Sequence, residues 1–441
     1  MEKKYKAAIV ADDFSSVTDC GVQFSKKGLD TAALMSLPEI LPNAEVISID
    51  SDSRPLTPAL AYNSTYKIAL ALANAGCEHV YKSIDSTMRG NLGSEIDAMM
   101  DAFGFRKAIL TPAFPHYGRQ VIGGIHYLNG VPINESPIGR DPVTPVTESD
   151  VKSILEKQTG RDIRNVSLTE LRKGAKACAE YARELYRDNA EILVFDCETE
   201  NDLQIVSEVA YLLPDVMVCG STGLAQYMAD GWKLSVADYK DSMEPKDTRM
   251  IFAAASASPV TREQLMTLIK AGGVHPIELD IWKLRDELKD NYKDNAESIK
   301  AAGCGNEASY YTEAMTAFAA GEDIALFLDS TPEGREKLTA EALEKGVGKA
   351  ELPKLIVKLM AMLVKKLADA NAFGGLLMTG GDTAKAICTE LGAYGMELKT
   401  EAEAGIPMGN LINCGGVTAC IKAGAFGSPQ AMIAAGKKIR G

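Results

Sequence analysis

The chain has 441 residues, 46% of them hydrophobic and 24% charged, with a formal net charge of −13. That length predicts two or three domains with ample apolar sequence for real cores. The acidic balance argues against nucleic acid or an anionic membrane as the main partner, but leaves room for a small anionic ligand in a locally basic pocket. Nine cysteines are scattered singly, with no Cys-x-x-Cys pair. No apolar run approaches the roughly 18 residues of a membrane span, and Met1-Glu2-Lys3-Lys4 leads into a strand without the apolar core of a secretion signal. These features predict a reducing, cytoplasmic setting with the thiols as core filler, including Cys388, Cys414 and Cys420 beside the C-terminal glycine motifs.

In chain order, a strand at 5–10 ends in Ala11-Asp12-Asp13 and feeds a helix that closes at Lys26-Lys27-Gly28. Strands follow at 31–35 and 44–48, the latter ending in Asp50-Ser51-Asp52-Ser53-Arg54. A helix at 60–75, a strand at 79–82 ending in Ser83-Ile84-Asp85-Ser86-Thr87, a helix at 92–103 and a strand at 107–111 complete an alternating pattern. Such alternation predicts an α/β fold with a mostly parallel sheet flanked by helices, and ligands gather at the carboxyl ends of its strands. Residues 118–145, rich in Gly and Pro, read as an ordered functional excursion. Further units place strands at 191–195 and 216–218. The polar stretch 238–248 reads as a boundary between domains 1–240 and 249–441. The second half restarts with a strand at 250–254 leading to Ser256 and Ser258, then a helix at 261–271, a helix-rich polar segment at 281–322, a strand at 324–328 and a long helix at 350–370. Leu376-Leu377-Met378 then runs into Gly380-Gly381-Asp382-Thr383, ahead of a helix over 384–391 that Asp382 or Thr383 is placed to cap. Two α/β domains with ligand loops at strand ends predict a two-substrate enzyme, with its active site in the interdomain cleft.

Two sets of residues carry the chemistry. In the first half, Asp12 and Asp13 at a strand end suit orienting a hydroxyl, accepting its proton or holding a metal ion, and neighbouring extended residues face opposite ways, so one faces the ligand while the other holds backbone. Arg54, on a loop stiffened by Pro55, suits bidentate grip of a carboxylate. Lys82, Ser83, Ile84, Asp85, Ser86 and Arg89 fall within one short stretch ahead of a helix, a mixture of cations, carboxylate and hydroxyls suited to a polyhydroxylated acid. His116 and Arg119 could close over such a site, but a lone histidine on a loop is more often structural or exposed, and His116 is left out of the site. In the second half, Ser256, Ser258, Gly380, Gly381, Asp382 and Thr383 can cradle phosphates through N–H and hydroxyl donors, and Gly424 permits close approach of a nucleoside. No P-loop, protein-kinase signature or dinucleotide fingerprint is present.

Ala11-Asp12-Asp13, residues 82–91 and 112–119, Asp141-Pro142, Gly220-Ser221-Thr222-Gly223-Leu224, residues 256–264, 380–384 and 422–427, in that order, resemble the four-carbon acid sugar kinase family. The resemblance implies ATP-dependent phosphorylation of threonate, erythronate or their oxo derivatives at the terminal hydroxyl; for such a transfer we expect a divalent cation, Mg²⁺, on the phosphates. It implies a substrate-binding N-terminal domain using Asp12 or Asp13, Arg54 and residues 82–85, and an ATP-binding C-terminal domain using Ser256 or Ser258, residues 380–383 and Gly424. Asp12, Asp13 and Asp85 are the catalytic candidates. The sequence departs from the family at Ser16, where glycine is usual beside the acid pair, and at Ala255, where Gly-Ser is usual. The first bears on which acid is bound. Kinases of other short or branched sugar acids, and a non-catalytic sugar-acid sensor, are the competing readings. The oligomeric state is left open, a homo-oligomer included.

Overall fold

The computed structural model describes residues 5–140, 144–237, 239, 243–244, 246, 248–290 and 309–440. The chain divides into two compact units, Met1–Asp241 and Ser242–Gly441. Asp141-Pro142 and residues 291–308 of the helix-rich segment lie outside the described residues. No described helix is long and apolar enough to cross a membrane.

The first unit runs β1 (Ala7–Ala11), α1 (Phe14–Ser25), β2 (Thr31–Leu34), β3 (Val46–Asp50), α2 (Pro58–Asn74), β4 (His79–Ser83), α3 (Leu92–Phe103) and β5 (Ala108–Thr111). A small antiparallel sheet of β6 (Arg119–Ile122), β7 (Ile125–Leu128) and β8 (Val131–Pro132) follows. The chain then continues through α4 (Val151–Glu156), β9 (Ile163–Val166), α5 (Leu168–Leu171), α6 (Ala175–Arg187), β10 (Ile192–Phe195), α7 (Glu200–Leu212), β11 (Met217–Gly220) and α8 (Thr222–Gly231). The main strands pair in parallel in the order β2-β3-β1-β4-β11-β5-β10-β9. Every residue of β1, β3, β5, β10 and β11 is buried, as expected for a parallel sheet covered on both faces. Because β1 lies between β3 and β4, chain direction across the sheet reverses there, which opens a crevice at the carboxyl ends of these strands. Local chemistry fixes the helices around it: Thr199 and Asp202 close a capping box on α7, and Gly104 ends α3 at φ 77°.

The second unit contains β12 (Met250–Ala254), α9 (Pro259–Ala271), β13 (Val274–Glu278), α10 (Ile281–Asp290), α11 (Tyr310–Ala319), β14 (Asp323–Phe327), α12 (Pro332–Glu344), α13 (Leu352–Asp369), β15 (Gly375–Thr379), α14 (Gly381–Leu391), β16 (Gly395–Glu401), β17 (Pro407–Ile412), β18 (Thr418–Lys422) and α15 (Ala431–Arg440). Strands β13-β14-β12-β15-β18 are parallel neighbours, and β17 and β16 continue the sheet antiparallel. The sequence reading assigned no strands to 395–422. Glycines at 395, 405, 409, 415 and 416 break the apolar runs there, and a register shift between Leu398 and Thr400 spoils the alternation. The core sits between the sheet and α9 and α15, where Phe252, Leu265, Leu377, Met408, Met432 and Ile439 pack together.

Candidate functional site

The loops after β1, β3 and β4 meet on one cluster of carboxylates and guanidinium groups. Asp13, extended at φ −148°, caps α1 by accepting the Ser16 N–H at 2.7 Å, and its other oxygen touches Arg54 Nη1. Asp12 is 1% exposed and takes Arg54 in a two-pronged grip, Nε to Oδ2 at 2.7 Å and Nη2 to Oδ1 at 2.9 Å. Arg54 is brought there by a tight turn in which Asp52 sits at φ 50° and donates its N–H to Asp50 Oδ1 at 2.7 Å. Asp85 accepts from Thr87 Oγ1 at 2.5 Å, from the Arg89 N–H at 3.1 Å, and from Arg89 Nε and Nη2 at 2.7 and 3.1 Å. Arg54 Nη2 lies 4.0 Å from the same carboxylate. Gly90, at φ 94°, lets this loop pass close: a Cβ there would stand 3.2 Å from Asp12 Oδ2.

One guanidinium therefore serves three carboxylates. Arg54 is held firmly as a cation by Asp12, Asp13 and Asp85 despite its burial. Asp12 responds in the opposite sense: desolvation outweighs the pull of Arg54, and Glu95 and Asp13 add repulsion, so its carboxyl is raised to about 6. The two directions are compatible because Asp12 is the deepest partner and shares its cation. Asp85 is also desolvated, but Arg54, Arg89 and Thr87 together hold it well below the ordinary carboxylate range.

The remaining predicted acceptor residues divide by depth. Lys82 is fully buried beneath the cluster, 2.9 Å from Glu95 Oε2 as an ion pair outside hydrogen-bond angles, and donates to the Ser83 carbonyl at 2.5 Å. Glu95 Oε1 accepts from Ser53 Oγ at 2.6 Å, tying the pair to the loop that carries Arg54. Ser83 Oγ lies 3.2 Å from Cys20 Sγ, and Ile84 is buried with its N–H on the Gly220 carbonyl at 2.9 Å. Ser86 and Arg89 are partly exposed. A cavity of about 360 Å³ adjoins the cluster, lined by Arg54, Met88, Arg89, Asn91, Thr147 and Gln158 among others. Sequence reasoning missed Glu95, and its signal was an acid on the apolar face of α3 beside Leu92, Ile96 and Met99. It also missed His126, whose fully buried ring is held down at about 4 by desolvation, with Asp85 and Arg119 the charges acting on it. His116 lies on the surface side of its turn, its N–H on Glu200 Oε1 at 2.8 Å. Arg119 donates to the Tyr117 carbonyl at 2.7 Å.

In the second unit the loops after the adjacent parallel strands β12, β15 and β18 lie together. Helix α14 begins at Gly381, with Gly380 as its N-cap at φ 92° and no side-chain cap, so neither Asp382 nor Thr383 caps it. The Gly380 N–H is used by the Lys422 carbonyl at 2.7 Å. Among the described residues, the N–H groups of Gly381, Asp382 and Thr383 have no partner, and Asp382 is exposed. Ser258 donates its N–H to Ser256 Oγ at 3.2 Å. Gly424 is where the β18 loop meets the β12 loop: a Cβ there would stand 2.6 Å from Ser256 Oγ and 3.3 Å from Ser258 Cβ. Uncommitted amides at a helix start, two serines and a tight glycine contact form a surface suited to phosphate. Buried Cys388 is pushed up to about 12 by desolvation, which fits packing rather than reactivity.

A family model described as a sugar-binding N-terminal domain matches residues 7–228, and one described as a nucleotide-binding C-terminal domain matches residues 251–432. The chain is similar to D-threonate kinase of Salmonella typhimurium, 28% identical across 97% of this chain and 96% of that protein. It is similar to D-erythronate kinase of Heliobacterium modesticaldum, 29% identical across 92% of this chain and 90% of that protein. A solved structure from Salmonella typhimurium, described as a putative tRNA synthase, shares the fold with a TM-score of 0.81 and 22% identity, covering 98% of each chain. The chain is a carbohydrate kinase, and it belongs to the four-carbon acid sugar kinase family.

Proposed function

We propose that this chain transfers the γ-phosphoryl group of ATP to the terminal hydroxyl of a sugar acid of the threonate, erythronate or oxo-tetronate type. Residues 1–240 would hold the acid and residues 249–441 the nucleotide. The observation that carries the acceptor side is the Asp12–Arg54 pair, a buried carboxylate raised to about 6 beside a guanidinium it must share. In this reading the acid's carboxylate approaches the exposed edges of Arg54 and Arg89, while Ser86 meets a hydroxyl. As the acid draws on Arg54, Asp12 loses part of its counter-charge and becomes a better proton acceptor. The terminal hydroxyl gives its proton to Asp12, its oxygen bonds to the γ-phosphorus, and the bond to the bridging oxygen of ADP breaks. Asp85, locked as an anion, orients rather than accepts, and Asp13 serves α1 and Arg54. Lys82 and Ile84 set the loop from beneath.

On the donor side, the N–H groups of Gly381, Asp382 and Thr383 and the hydroxyls of Ser256 and Ser258 would receive the phosphates, with Gly380 and Gly424 keeping the loops close. A divalent cation, Mg²⁺, needs only one or two carboxylates besides the phosphates, and exposed Asp382 meets that need; when bound it neutralises phosphate charge. Phosphoryl transfer rests mainly on such positioning and electrostatics. The test is ADP formation from ATP on addition of threonate, erythronate and their 2- and 3-oxo forms. Turnover with one of them supports the proposal. Binding of an acid without ADP formation would point to a sensor, and turnover only with another short acid would point to a substrate shift at Ser16.

A further inference from the structure

The last residue of β18 is a buried cation with no carboxylate partner among the described residues. Lys422 is fully buried, and its Nζ donates to the carbonyls of Ala423 at 2.8 Å, Gly424 at 3.2 Å and Phe426 at 3.0 Å, with Thr261 Oγ1 at 3.4 Å. Beside it, fully buried Gln264 donates through Nε2 to the carbonyls of Phe426, Gly427 and Ser428 at 3.0, 3.1 and 2.9 Å. Thr261 Oγ1 also donates to the Gly424 carbonyl at 2.9 Å. Five carbonyls of one short loop thus point inward at two side chains.

A planar trans peptide places the N–H of each following residue opposite the preceding carbonyl. Inward carbonyls at 423, 424, 426 and 427 therefore turn the N–H groups of Gly424, Ala425, Gly427 and Ser428 outward. Among the described residues, those of Gly424, Ala425 and Gly427 have no hydrogen-bond partner, and Ala425 is exposed. The fourth already holds an anion: the Ser428 N–H and hydroxyl both donate to the Glu403 carboxylate, each at 2.8 Å. A row of outward amides backed by a buried positive charge attracts anions, as the carboxylate at its end illustrates. Carbonyls alone compensate Lys422 poorly, and desolvation holds its amine down at about 8.

We propose that Lys422, assisted by Gln264, is the positioning residue that turns the 423–428 loop inside out, presenting the amides of Gly424, Ala425 and Gly427 to a phosphate group of the bound nucleotide. This rests on the second unit being the nucleotide side. Lys422 would not touch the ligand; it acts through the loop and through its charge, which the neutral Gln264 cannot replace.

The experiment uses the full-length chain and its Lys422→Met variant, which keeps the bulk and removes the charge and donors. Binding of Mg·ADP and of D-threonate or D-erythronate is measured by calorimetry, and amide hydrogen exchange is followed in residues 423–428. The expected result is a folded variant whose ADP dissociation constant rises about tenfold or more, with acid affinity unchanged and faster exchange confined to the loop. Gln264→Leu should loosen the same loop with a smaller loss of ADP affinity, because it leaves the charge in place. Wild-type ADP affinity in Lys422→Met, or equal loss of acid and ADP affinity, overturns the inference. If the unaltered chain binds no nucleotide, the proposed function fails and so does a phosphate role for the loop. If Lys422→Met does not fold, Gln264→Leu decides: unchanged exchange and ADP affinity there overturn the proposal.

Discussion

Asp12 and Asp13 are neighbours in sequence with different work to do, and substitutions should separate them. Asp12→Asn keeps the size of the side chain but removes the proposed proton acceptor and one prong of the Arg54 grip, so turnover should fall roughly 10²–10⁴-fold with ADP binding intact, measured by steady-state kinetics and calorimetry. Asp13→Ala removes a helix cap worth about 1 kcal/mol, so the first reading should be a lower Tm and only then a kinetic change through Arg54. The pH profile gives an independent check. A base raised to about 6 is protonated below that value, so kcat/KM for the acid should decline tenfold per pH unit below about pH 6; a decline starting only near the ordinary carboxylate range would remove Asp12 from the role. The stability linkage has the matching sign. The penalty of Asp12 is full above its folded value, is relieved progressively as pH falls from about 6 and is gone below the ordinary value of 3.8, whereas Asp85, held low, contributes stability that is lost only in stronger acid.

At the scale of elements, placement of candidate residues at strand ends was legible, and their partners were not. Strands β1 and β12 announce themselves as continuous apolar runs, which places Asp12, Asp13 and Ser256 at carboxyl ends. Nothing local shows that Lys82 turns down onto Glu95 on α3 while Arg89 turns back onto Asp85, because tertiary packing decides which cation is buried. Lys82 therefore read as a ligand-facing cation, and the structure buries it against Glu95. Glu95→Gln, which leaves Lys82 buried without its counter-charge, should destabilise by about 3–5 kcal/mol, measured by denaturant unfolding. The double change Lys82→Met with Glu95→Leu should cost clearly less. Gly380 is the comparable point in the second unit. Its φ of 92° disfavours any side chain even though the nearest atom to a Cβ would be Thr383 Oγ1 at 3.6 Å, so Gly380→Ala should cost about 1–2 kcal/mol. The same change should weaken ADP binding in calorimetry by shifting the first amides of α14.

For the whole molecule, the alternation of strands and helices carried the fold class, and the motifs carried the family. The antiparallel β16 and β17 were hidden by glycines and by a register shift, features that only pairing with β18 makes regular. With the acid and nucleotide sites proposed above, each ligand should add stability by mass action. ADP at about 100 times its dissociation constant should add roughly 2.7 kcal/mol in thermal unfolding, and Asp12→Asn should retain that gain.

The strand order of the first unit also sets a timetable for its birth on the ribosome. β4 and β5 do not pair with each other; each waits for β11, which inserts between them. The carbonyl that receives the Ile84 N–H belongs to Gly220, the last residue of that strand. The loop after β4 is thus translated early but completed late, after more than a hundred further residues have been made. Until then the two half-sheets present bare strand edges to the cell, open to pairing with other chains. A nascent chain stalled before Met217 should need chaperone protection in a way that one released past Gly231 should not.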